Sequence, residues 1–189
     1  MNIADLKESI RQQVRKKKNS LDFLQRMQAS RLIFEDIEQM PEFHEASCIM
    51  LYHALSDEPN SIHYIKKWSY TKTIYLPIVR DNDIALGKYL DNASLIKGKF
   101  NIMEPLVEVQ FNSTSPKENG LLPQIIIIPG VAFTKTGKRL GRGKGYYDRF
   151  LNSATIKNAF KIGVCFKFQI YNDLPTDSQD IAMNKVIFH

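Results

Sequence analysis

The chain has 189 residues, 43% apolar and 24% charged, enough for one substantial core, and it shows no linker that would divide it. Its net charge of +6 favours an anionic partner without distinguishing nucleic acid, nucleotide or polycarboxylate. No run nears the roughly 18 consecutive apolar residues of a membrane span. The charged start MNIADLKESIRQQVRKKK lacks the apolar segment of a signal peptide, so a cytoplasmic protein without a membrane partner is expected.

In chain order, residues 3–18 and 20–39 read as two helices. Ile3, Leu6, Ile10 and Val14 recur at helical spacing, Leu24, Met27, Leu32 and Phe34 do so more loosely, and Ser20 is placed as the N-cap of the second helix. The basic run at residues 15–18 reads as a solvated helix face. ASCIMLYHAL, residues 46–55, reads as a buried strand, followed by the turn SDEPNS and a helix from Ile62 to Trp68. KTIYLPIV is a further strand and ALGKYL a shorter one. After the polar stretch FNSTSPKENGLLP comes QIIIIPG, whose four successive isoleucines suit a strand covered on both faces in a parallel sheet. YYDRFLNSATI reads as a helix and FKIGVCF as another buried strand. Strand and helix alternate, which predicts one α/β domain over residues 1–189: three layers, α/β/α, around a mostly parallel, Rossmann-like sheet. Cys48 and Cys165 lie in apolar runs and read as inert core thiols.

The chemistry concentrates in GKRLGRGKGYYDRFL, residues 137–151. Gly141, Gly143 and Gly145 alternate with Arg142 and Lys144, shortly after the isoleucine strand and directly before a helix. Glycines let backbone N–H groups approach an anion, a helix start adds partial positive charge, and Arg139, Arg142, Lys144 and Arg149 supply ionic hydrogen bonds. The pattern is neither a Walker loop nor the dinucleotide fingerprint. On the residues alone, a phosphate cradle competes with a solvated basic turn. Asp148, three residues past the last glycine, reads equally as a helix-dipole or ion-pair partner and as a magnesium ligand. Of Tyr146 and Tyr147, one is expected in the core and the other at a ligand. The histidines show no zinc spacing, and His53 is a candidate pocket wall.

The segment IIIIPGVAFTKTGKRLGRGKGYYDRFL resembles the signature of the 5-formyltetrahydrofolate cyclo-ligase family, also called methenyltetrahydrofolate synthetase. Weaker likenesses in LKESIR, LSDEPNS, KFNIMEP and FQIYNDLPTDSQD extend it over nearly the whole chain. Thr134, Gln124, Gln179 and the pair Asn60 and Ser61 stand where the family more often carries Asp, an acidic residue, His and Asp-Thr.

The resemblance implies ATP- and magnesium-dependent closure of 5-formyltetrahydrofolate to 5,10-methenyltetrahydrofolate, with ADP and phosphate released. By that likeness, Lys7, Arg11 and the run Arg139, Leu140, Gly141, Arg142, Gly143, Lys144, Gly145, Tyr146 and Tyr147 hold ATP. Arg11, Glu58, Arg142, Gly143, Lys144, Gly145 and Tyr146 border the folate. Arg142 and Lys144 are the implied catalytic cations, and Asp148 and Asp180 the implied metal ligands. Lys7 and Arg11 are spaced i, i+4 and share a helix face. The rival class is a nucleic-acid module built on the same cations with stacking tyrosines; no nucleic-acid motif supports it, and no nucleic-acid partner is expected.

Overall fold

The structure, a computed structural model, describes residues 2–109, 121–177 and 179–189. The polar stretch expected at 111–123 lies outside the described residues except for its last three. Helix α1 spans Ile3–Ser20 and α2 Phe23–Glu38. The N-cap of α2 is Asp22, not Ser20. Asp22 accepts the Gln25 N–H at 2.9 Å while the Gln25 side chain accepts from the Asp22 N–H, a reciprocal box that satisfies two otherwise orphaned donors. Ser20 instead ends α1, its hydroxyl donating to the Lys17 carbonyl at 2.8 Å.

The remaining α-helices among the described residues are α3 (Pro41–Glu45), α4 (Ile62–Ser69) and α5 (Tyr146–Leu151). The strands are β1 (Cys48–Met50), β2 (Thr73–Arg80), β3 (Asp83–Lys88), β4 (Leu95–Lys97), β5 (Met103–Pro105), β6 (Ile125–Pro129), β7 (Ala132–Thr134), β8 (Arg139–Leu140), β9 (Phe160–Cys165), β10 (Ile170–Tyr171) and β11 (Lys185–Phe188). Two of these are shorter than their sequence suggests. The strand expected over 46–55 pairs as β1 for three residues; after one more bond, from the Leu51 N–H to the Tyr75 carbonyl at 2.9 Å, the chain leaves the sheet. The helix expected through Ile156 ends at Leu151, where Asn152 and Ser153, poor helix formers, begin a series of turns.

The main sheet runs β11-β9-β6-β1-β2-β3. All its pairings are parallel except that of the edge strand β3, which is antiparallel to β2. Alternation along β6 accounts for the layers. Ile125 and Ile127 join Ile33, Phe34 and Ile37 of α2 and Tyr64, Ile65 and Trp68 of α4 in one core. Ile126 and Ile128 face the opposite way, into a second core with Phe133 and Leu151. Helices on one face, and α5 with the small β10-β7-β8 sheet on the other, give the mostly parallel α/β architecture expected. Both cysteines are buried, and burial pushes each thiol pKa up to about 12, as inert core thiols require. No described helix is long and apolar enough to cross a membrane.

Residues at which the chain departs from the family pattern serve local structure. The Gln124 side chain accepts the N–H groups of Ser47 (2.8 Å) and Cys48 (3.2 Å), tying the starts of β1 and β6 together. The Thr134 hydroxyl accepts the Lys138 N–H at 3.0 Å and closes the β7-β8 turn. Asn60 accepts the Ile62 N–H at 3.1 Å at the start of α4.

Candidate active site

Counting only the parallel strands in chain order, the sheet reads 2-1-3-4-5, the doubly wound order that reverses direction between its first and third members, here β1 and β6. Connections leave these two strands toward opposite sides, opening a crevice at their C-terminal ends. The loop after β1 carries Asp57 and Glu58. The chain after β6 passes through β7 and β8 and delivers the glycine loop and α5.

The two connections meet at Arg142. Its Nη2 donates to Asp57 Oδ1 at 2.6 Å and to Glu58 Oε1 at 2.9 Å, and its Nε to the same Glu58 oxygen at 3.3 Å. Glu58 is buried and also accepts the Leu55 N–H at 3.1 Å. Burial alone would pull the Arg142 pKa down; Glu58 and Asp57 outweigh it, and the net shift is upward. Burial would likewise raise the Asp57 carboxyl, but Lys18 and Arg142 hold it below its ordinary value.

The loop owes its course to glycine at two positions. Gly143 has φ 94° and Gly145 φ 68°, a region L side chains rarely enter. Gly145 is the N-cap of α5, and no side chain caps that end. Arg149 braces the loop from below: Nη1 donates to the Lys144 carbonyl at 3.2 Å and Nε to the Asn82 carbonyl at 2.9 Å. Arg142, Gly143 and Lys144 are exposed at the tip.

Helix α1 supplies the other wall, seated by Val14 and Ile10 of its apolar stripe on Val131, Ala132, Leu140 and Leu174. Ile3 and Leu6 are exposed, whereas Lys7, Val14 and Lys18 are buried and Arg11 is half-buried, so basic side chains share the inward face with the apolar ones. Arg11 Nε donates to the Gly141 carbonyl at 3.1 Å, and a Cβ on Gly143 would lie 3.3 Å from the Arg11 guanidinium carbon. Lys7 Nζ donates to Asp177 at 2.8 Å and Asp180 at 2.7 Å. Burial pulls the Lys7 pKa down, but the two carboxylates prevail and it rises. Lys18, expected on a solvated face, is instead buried against Asp57 at 3.2 Å.

Arg139 and Leu140 lie beneath the loop. The Arg139 guanidinium donates from Nε to the Pro129 carbonyl (3.3 Å) and from Nη1 to Asp148 Oδ1 (3.0 Å), and sits 5.3 Å from the centre of the Tyr147 ring. Tyr147 is the core member of the tyrosine pair: it packs on the second core, and burial raises its hydroxyl pKa. Tyr146 is the rim member. Its hydroxyl donates to the Asp81 carbonyl at 3.0 Å and accepts from Lys99 at 3.3 Å, and Phe100 meets its ring edge-on at 6.0 Å. Asp81, Phe100 and Asn101, the non-glycine residues with positive φ among the described residues, cluster at this rim, where strained backbone often marks a binding surface. His53 is half-buried on the loop after β1, and burial lowers its pKa.

The structure therefore gathers Arg11, Glu58, Arg142, Gly143, Lys144 and Gly145 at one crevice, with Tyr146 on its rim and Lys7 one turn of α1 away. Asp148 faces Arg139 and Asp180 faces Lys7. Among the described residues no three His, Cys, Asp or Glu side chains converge, so the protein alone builds no metal cage. Magnesium commonly takes one or two carboxylates and completes its shell with phosphate and water, and Asp148 beside a basic loop fits that use. Lys18, Asp57 and Lys99 escaped the sequence reading. Only Lys18 left a signal, its spacing of eleven residues from Lys7 along one helix face.

A family model described as the 5-formyltetrahydrofolate cyclo-ligase family matches residues 3–189. A relative from Haemophilus influenzae named 5-formyltetrahydrofolate cyclo-ligase is 29% identical over 189 residues, spanning 96% of this chain and 96% of its own. One of the same name from Mus musculus is 25% identical over 197 residues, spanning 100% and 96%. The solved structure of Aquifex aeolicus 5,10-methenyltetrahydrofolate synthetase superposes with a TM-score of 0.77 at 31% identity, covering 97% of this chain and 89% of that one.

Proposed function

The chain belongs to the 5-formyltetrahydrofolate cyclo-ligase family, and on that premise we propose that it closes 5-formyltetrahydrofolate to 5,10-methenyltetrahydrofolate at the crevice between β1 and β6, using ATP. The observation that carries this reading is the meeting of Arg142 with Glu58 at 2.9 Å. It joins the loop suited to phosphate to the loop suited to the pterin, and the reaction needs those two groups adjacent.

An amide-like formyl oxygen is a poor leaving group. In the proposed first step it attacks the γ-phosphorus of ATP and ADP departs, giving an imidate phosphate. The side-arm nitrogen, N10, then attacks the formyl carbon; the carbon–oxygen bond breaks, phosphate leaves with the former formyl oxygen, and the N10 proton is lost. Phosphoryl transfer asks the protein mainly for positioning and charge stabilisation. Arg142 and Lys144 at the tip neutralise the transferring group, the amides around Gly143 and Gly145 cradle the phosphates, and Arg11 secures the loop through the Gly141 carbonyl. Glu58, fixed by the Leu55 N–H, is placed to accept from pterin N–H groups. Tyr146 offers a ring and a hydroxyl to the folate. Arg139 and Tyr147 act from beneath, holding Asp148, which would hold magnesium; a bound divalent ion supplies charge neutralisation to the phosphates. Asp180 acts through Lys7.

Purified protein is expected to generate the methenyltetrahydrofolate absorbance from 5-formyltetrahydrofolate only when ATP and magnesium are both present. Folded protein that yields no such product, or yields it without nucleotide, refutes the assignment.

A further inference from the structure

Lys18 has no part in the chemistry above, yet its ammonium is buried, with the side chain 6% exposed. Burial pulls its pKa down; Asp57 works against that and Arg142 with it. A lysine at the end of a surface helix has an easy route to solvent, and burying it instead is costly unless its charge is matched. Its partner is Asp57, bonded through Oδ2 at 3.2 Å. The other oxygen of the same carboxylate, Oδ1, accepts from Arg142 Nη2 at 2.6 Å. Arg142 is bonded along its Nε–Nη2 edge, to Asp57 and Glu58. Two carboxylates on one edge of a rigid planar fork fix its plane and turn Nη1 away from them.

We propose that Lys18 is a positioning residue for the reaction: through Asp57 it locks the Arg142 guanidinium against Glu58 with Nη1 presented to the transferring phosphoryl group. The inference rests on the reading of Arg142 as a phosphoryl-binding cation. Without the ammonium, Asp57 becomes a carboxylate with a single cationic partner and is free to turn, leaving the Arg142 fork held by Glu58 alone.

The test is a double-mutant cycle on purified protein, with kcat and the KM values for ATP and 5-formyltetrahydrofolate measured for K18M, K18R, R142A and K18M/R142A, and the folded fraction of each followed by circular dichroism. K18M is expected to lose about 10- to 100-fold in kcat, up to the scale of a group misplaced by about 1 Å, with KM for the folate within about twofold. K18R should recover most of the loss, and K18M/R142A should be no slower than R142A, because both changes remove one coupled device. A merely structural staple would give a loss in K18M that multiplies with that of R142A, and that result overturns the proposal, as does a K18M enzyme of unchanged kcat. Should K18M not fold, D57N takes its place in the cycle with the same expectations. An R142A enzyme of unchanged turnover defeats the phosphoryl reading itself; an impaired R142A beside an unimpaired K18M defeats only the role of Lys18.

Discussion

Gly145 carries a conformational demand that a single methyl group tests. A Cβ there would lie 2.7 Å from Arg149 Nη1, in a backbone with φ 68°. Gly145→Ala should cost about 1–2 kcal/mol from the left-handed conformation alone, read by urea unfolding, and should raise the KM for ATP by displacing the brace under Lys144. An alanine variant of wild-type stability and KM would show that the loop does not depend on this conformation. Arg142→Ala should lose about 100-fold in kcat if its role is that of a lost electrostatic donor. His53 offers a pH test. Its folded-state pKa is depressed by burial, so the unfolded chain binds the proton more readily, and stability falls as pH drops from about 6.5 through the folded value. His53→Gln should flatten that part of the urea-stability profile; an unchanged slope would assign it to other groups. At this scale the glycine loop was legible because alternation of glycine with cations is a local pattern. The burial of Lys18 was not, because what buries it, the loop after β1, lies 39 residues on at Asp57.

At the scale of elements, the isoleucine run of β6 declared itself by composition, and its central place in the sheet follows from being covered on both faces. Ile127 is fully buried between α2, α4 and the flanking strands; Ile127→Ala should cost about 2–5 kcal/mol, most of it felt as a cavity. A loss under about 1 kcal/mol would mean the core collapses around the gap. The start of α2 was readable too, since Asp22 and Gln25 spell a capping box that the weaker candidate Ser20 obscured. Asp22→Ala should lower stability by about 1 kcal/mol while Ser20→Ala changes little, a comparison by thermal unfolding. Helix α1 follows its apolar stripe only in part: Val14 and Ile10 pack with Val131, Ala132, Leu140 and Leu174, whereas at the start of the helix, where Asp177 and Asp180 face it, Lys7 is buried and Ile3 and Leu6 are exposed. The shortness of β1 has a similar origin. Leu51 and Tyr52 are as buried as strand residues but turn out of the sheet where the connection opens the crevice.

For the whole molecule, a net charge of +6 suggested an anionic partner but could not choose one. The fold turns Lys7 onto Asp177 and Asp180, Arg11 onto the Gly141 carbonyl and Lys18 onto Asp57 instead of spreading them over a surface, which favours the proposed nucleotide site over a nucleic-acid face. A non-hydrolysable ATP analogue with magnesium should therefore raise the unfolding midpoint, by an amount equivalent to about 2.7 kcal/mol at a hundred times its dissociation constant, while an oligonucleotide at matched charge concentration should not. The apolar clusters packed around the shared sheet should melt with it in one transition.

In the proposed reaction the crevice brings the formyl oxygen to the γ-phosphorus. Turnover of 5-formyltetrahydrofolate carrying oxygen-18 in the formyl group, with the released phosphate analysed by mass spectrometry, tests it directly. One labelled oxygen is expected in each phosphate formed; unlabelled phosphate, with the heavy oxygen recovered in water, would rule out attack by the formyl oxygen.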